Sequence, residues 1–79
     1  MKKQAINTIE SLIASVEANW LANDGGLTMA ASDACSFGAA LIDDIKNGRK
    51  KAVLDIDPFS LSTGTESDML STAVKWARR

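Results

Sequence analysis

Ile6, Ile9, Ile13, Val16 and Trp20 succeed one another at alternating steps of three and four residues. That spacing lays side chains along one narrow stripe of an α-helix. It predicts a first helix from about Lys2 to Ala22, with Leu12 widening the stripe and Ser11, Ser15 and Asn19 on other faces. Asn23-Asp24-Gly25-Gly26 is the expected stop, because glycine takes the positive φ that ends a helix and asparagine and aspartate favour turns. An apolar stripe has to be covered, so the rest of the chain is read for what covers it.

A second helix is expected from about Met29 to Lys46, with Thr28 as N-cap and Asn47-Gly48 as C-terminal cap. Its apolar face is Ala31, Ala34, Cys35, Gly38, Leu41, Ile42 and Ile45. The small residues in the first half of that face would let a large ring lie across it, and Trp20 is the candidate ring. A third helix is expected from about Glu66 to Ala77, with Thr65 and Asp68 as a capping box and a wide face of Met69, Leu70, Ala73, Val74, Trp76 and Ala77. Lys75, Arg78 and Arg79 sit at its C-terminal end, where the dipole favours cations.

Between the last two helices Ala52, Leu54 and Ile56 alternate with Val53, Asp55 and Asp57. The alternation leaves open a short strand over residues 52–56, which would need a partner across a dimer, and equally an extended connector. Pro58 suits the first position of a single helical turn, with Phe59 and Leu61 expected in the core and Asp57 or Thr65 as a cap.

At 79 residues the chain has room for one domain, residues 1–79, and a domain of that size buries roughly 60% of the surface its unfolded chain exposes. A composition that is 46% hydrophobic and 24% charged is that of a folding chain. The formal net charge of −1 supplies no long-range field for a polyanion or an anionic membrane. Asn7, Thr8 and Glu10 interrupt the apolar region that a secretory signal would need, and "LTMAASDACSFGAALI" is too polar and short to cross a bilayer, so a soluble, cytoplasmic protein is expected.

The sequence has no histidine, which removes the usual base that activates a serine or cysteine nucleophile. One cysteine cannot form an internal disulfide or a structural zinc tetrad, and Cys35, among small apolar neighbours, reads as a small hydrophobe. Asp55, Asp57 and Glu66 align on ligand positions of a calcium loop, but Phe59 falls where a ligand oxygen belongs and Ser60 where the bend calls for glycine. Asp43 and Asp44 could meet Asp55 and Asp57 in a carboxylate cluster; as residues of an amphipathic helix they read instead as solvent-facing.

The expected fold is therefore all-α: a small three-helix bundle with a partly extended connector before the last helix. Neither an enzyme nor a cofactor is expected. The functional expectation is a protein-binding module that acts by occupying a surface, as a regulator, inhibitor or immunity-type factor, with self-association as a homodimer left open. Candidate partner-binding residues are Trp76, Phe59, Arg49, Lys50, Lys51, Arg78 and Arg79. The alternative is a nucleic-acid-associated regulator that uses the basic clusters at 49–51 and 75–79 against phosphates. Scarce aromatic residues for stacking on bases weigh against it.

Overall fold

The computed structural model describes residues 2–22, 29–61 and 64–79. They form four α-helices, α1 (Lys2–Ala22), α2 (Met29–Lys46), α3 (Lys50–Leu54) and α4 (Gly64–Ala77), with one 3-10 turn at Pro58–Ser60 and no strand among the described residues. The protein is a small all-α bundle. The expected stop at Asn23–Gly26 and the Thr28 cap lie outside the described residues.

Side-chain proximities set the direction of each helix. Ile13 lies beside Gly38, and Glu17, a turn further along α1, raises the pKa of Cys35, a turn earlier in α2. α1 and α2 are therefore antiparallel. Met69 meets α1 at the level of Ile13, whereas Trp76 shares a groove with Gln4, Ala5 and Thr8, so α4 is also antiparallel to α1. Consequently α2 and α4 run the same way.

That topology explains the segment between them. Two parallel helices cannot be joined by a tight turn; the chain leaving α2 has to travel back along the bundle, about 20 Å for a helix the length of α4. The described residues 49–61 lie on this crossing. The alternation over 52–56 does not form a strand: Lys50–Leu54 is a helical turn that buries Val53, and the Asp55 and Ile56 amides bond back to Lys51 and Val53. A strand here would have no partner, whereas a helix satisfies its own amides and still docks Val53. The dimer variant that depended on strand pairing goes with it.

The corner from α2 into α3 is a Schellman motif. Gly48 has φ of 71°, its amide bonds to Ile45 O at 3.1 Å, and the Arg49 amide bonds to Asp44 O at 2.9 Å. Arg49 then closes the corner from outside, donating Nε to Asp44 Oδ1 at 2.8 Å and its Nη2 to Asp43 Oδ2. Asn47 Nδ2 bonds to Asp43 O at 2.8 Å. A Cβ added at Gly48 meets nothing within 4 Å, so Gly48→Ala carries only the cost of the left-handed backbone. We expect a loss of about 1 kcal/mol, read as a melting temperature lower by roughly 4–8 °C, with Gly48→Asn costing less.

The core gathers Ala5, Ile9, Leu41, Ile45, Val53, Met69, Leu70, Ala73, Trp76 and Ala77, with Ile6, Leu12, Ile13, Phe37, Ile42, Ile56, Leu61 and Val74 packed around it. Trp20, the candidate ring for the small-residue face of α2, is half-buried and not part of this cluster. Among the described side chains of α1 only Ala5 and Ile9 are buried, and Ile13, Val16 and Trp20 are half-buried. α4 lies along α1 from Trp76, beside Gln4, Ala5 and Thr8, to Met69 at the level of Ile13. α4 starts at Gly64, so Thr65 lies inside the helix and cannot head a capping box with Asp68. Glu66, in that first turn, is buried.

Candidate functional site

The crossing segment is pinned by alternate side chains. Val53 is fully buried, and Ile56 and Leu61 pack against the core. Two large apolar side chains face outward instead: Leu54, 46% exposed, and Phe59, 96% exposed. The expectation that Phe59 plugs into the core is overturned, while Leu61 does pack there.

Local chemistry holds Phe59 out. Asp57, extended at φ −80° and ψ 114°, caps the turn by accepting the Phe59 amide on Oδ1 at 3.0 Å. Pro58 follows at the first helical position, where its fixed φ suits the turn and its missing amide is not needed. The Ser60 hydroxyl donates to Asp57 O at 2.7 Å and the Ser60 amide to the same carbonyl at 3.1 Å. The Asp-Pro-Phe-Ser turn is thus closed by its own bonds, and the ring it carries is solvated almost all round. The segment Asp55–Ser60 therefore displays an aromatic ring as well as turning the chain.

The basic clusters come together, but unequally. Lys50 Nζ sits 5.5 Å from the centroid of the Trp76 ring, within the range of a cation–π contact. Lys75 and Arg79 flank the same residue in a groove of about 280 Å³ between α1 and α4, which Gln4, Ala5, Thr8 and Thr72 complete. Neither Lys75 nor Arg79 makes a side-chain ion pair among the described residues, and no Asp or Glu side chain lines the groove. Arg49 is different. It is bound to Asp44 and Asp43, whose hydrogen bonds raise its pKa further and keep it charged. Its charge is already answered, which leaves Lys50 and Lys51 as the cations of that cluster. Lys51, Arg78 and Arg79 are exposed.

Trp76 was a candidate for partner contact. It is 7% exposed and belongs to the core, so it floors the groove and seats Lys50 rather than offering a face.

The remaining chemical candidates are dispersed. Among the described residues no three of His, Cys, Asp and Glu stand close enough to share an ion. Asp43 and Asp44 face Arg49 and Asp57 caps its own turn, so they do not converge with Asp55. Cys35 is half-buried, and its thiol pKa is pushed up by burial and then by the charge of Glu17. Both effects disfavour the thiolate, the reactive form. We expect folded Cys35 to react with iodoacetamide at neutral pH more slowly than the urea-unfolded chain; an equal or faster rate would contradict this environment. Because the folded pKa lies above the unfolded one, the thiol's contribution to stability is lost as pH rises from the ordinary thiol value through the raised one.

No described helix is long and apolar enough to cross a membrane. Comparison with known proteins adds no template: no protein family, curated protein or solved structure matches the chain.

Proposed function

We propose that the protein is a non-catalytic binding module that occupies a surface on another protein, as a small regulator, inhibitor or immunity-type factor, with Phe59 as its anchor. The observation that carries this reading is the 96% exposure of Phe59 on a turn closed by Asp57 and Ser60. A solvated aromatic ring gains about 1.5–3 kcal/mol when it is fully buried, and binding energy at interfaces concentrates in such residues. Because the turn is already ordered, little entropy is lost when it docks. Leu54 adds a second apolar contact on the same crossing segment.

Phe59→Ser tests it. The ring contributes nothing to the core, so the melting temperature should stay within roughly 4 °C of the parent, a change below about 0.5 kcal/mol. Affinity purification from the native cell should recover a protein partner with the parent chain and lose it with the variant. Recovery of the same proteins by both chains would sink the reading.

The alternative, a nucleic-acid-associated regulator, is favoured by one observation: Lys50 on the Trp76 ring, with Lys75 and Arg79 beside the same residue, joins the two basic clusters at one end of the bundle. Phosphate binding there would weaken steeply with salt. Reversing Lys51 and Arg78 to glutamate should abolish binding to a mixed DNA and RNA pool, and no binding by the parent chain at low salt would remove this reading. The buried Trp76 leaves no ring at that end for a base to stack on.

A further inference from the structure

We propose that the occupant of the α1–α4 groove is the Asp57–Ser60 turn of a second copy of this chain, so that copies associate head to tail. This rests on the reading of Phe59 as an anchor and commits that anchor to a partner whose complementary surface is in hand.

The argument begins with how charge is distributed. Residues 52–74 carry Asp55, Asp57, Glu66 and Asp68 and no lysine or arginine, whereas cations crowd both flanks, at Arg49, Lys50 and Lys51 and at Lys75, Arg78 and Arg79. The charges therefore separate along the sequence, while in the fold Glu66 is buried and Asp55 shares a hollow with Arg49, Lys50 and Lys51. Phe59 stands on the turn that Asp57 caps, so the exposed Asp57 carboxylate lies beside it. A two-fold pairing of Phe59 turns would bring like carboxylates together, which is unfavourable.

The groove offers the opposite character. Lys75 and Arg79 make no side-chain ion pair among the described residues, no Asp or Glu side chain lines the groove, and Ala5 and Trp76 provide apolar floor. Cations over an aromatic face attract it, so Lys75 and Arg79 can hold both the ring of Phe59 and the Asp57 carboxylate next to it. Turn and groove share no residue, so each copy presents one of each. Such a heterologous joint repeats, giving a ring if the rotation closes and an open chain if it does not. The contact is small, which places it among weak, transient interfaces.

Sedimentation of the full chain over a rising concentration series tests this with two variants. Phe59→Ser removes the turn's anchor and keeps the groove; Lys75→Glu with Arg79→Glu reverses the groove and keeps the turn. A far-UV spectrum checks that each is folded, and Lys75→Gln with Arg79→Gln replaces the reversal if it is not. The parent chain should grow in mean mass with concentration, and raising salt from 0.05 to about 0.5 M should weaken association several-fold, as screening of exposed charges requires. Each variant alone should stay monomeric. Their equimolar mixture should form a species that stops at two chains, since one intact joint remains. A parent chain that is monomeric at every concentration, a Phe59→Ser chain that associates like the parent, or a mixture that stays monomeric overturns the proposal. The reading of Phe59 as an anchor is judged separately, by whether Phe59→Ser loses a different protein from the cell.

Discussion

Gly38→Leu should destabilise the protein by about 3 kcal/mol and lower its melting temperature by roughly 12–24 °C. Three helices meet at this glycine. A Cβ built there stands 2.8 Å from Ile13 Cδ1, 2.9 Å from Ile13 Cγ1 and 2.9 Å from Met69 Sδ, so α1, α2 and α4 all approach a residue with no side chain. Alanine and leucine separate the two effects at work. Gly38→Ala recovers about 1 kcal/mol of helix propensity, but its methyl forces Ile13, stiff at its β-branch, and Met69 to shift, so it should cost stability, though less than leucine. Leucine adds branches that those movements cannot admit, and α1 or α4 has to shift. Ile13→Ala deletes both Ile13 atoms in the way, Cδ1 and Cγ1, so Gly38→Ala should cost less in that background than in the parent chain. Equal costs in the two backgrounds, measured by thermal melts, would mean that Ile13 is not the obstruction.

The close contact at Gly38 also shows which parts of the fold can be read from the chain. The bounds of α1 and α2 follow from steps of three and four, because each helix closes its own hydrogen bonds and needs only one covered stripe. The small-residue face of α2 correctly announces a close approach. Its occupants, however, are Ile13 and Met69, side chains distant in sequence that only the topology brings there. The crossing segment was the hardest to read for the same reason. Alternation over 52–56 suits a strand on one side of a sheet, yet it equally fits a short helix that buries Val53 and exposes Leu54. What decides is that α2 and α4 are parallel, a property of no local window. Phe59 misleads because hydrophobicity argues for burial, whereas Asp57, Pro58 and Ser60 close a turn whose geometry points the ring away. The turn itself was legible in Asp-Pro. The basic clusters were legible as clusters, but the pairing of Arg49 with Asp44 and Asp43 depends on the Gly48 corner folding back by a residue's length.

Trp76→Ala should cost more than any surface change, about 3–5 kcal/mol, against a total stability of roughly 4–12 kcal/mol for a chain of this length. The ring is buried between α4 and the start of α1, it carries Lys50 on its face, and it floors the groove with Lys75 and Arg79. Removing it leaves a cavity at the point where α3 docks, so the crossing segment loses its anchorage at one end. Trp76→Phe keeps an aromatic face in the same place and should retain most of the stability, while Lys50→Ala removes only the exposed cation, worth about 0.5–1 kcal/mol. The two changes should not add. With the ring gone, Lys50 has nothing to lie on, so Lys50→Ala should be silent in the Trp76→Ala background. If it costs the same in both backgrounds, the cation is held by something other than the indole. In the opposite case the joining of the two basic clusters depends on one buried ring, and whatever binds at that end of the bundle, a copy of the chain or a polyanion, depends on core packing as much as on surface charge.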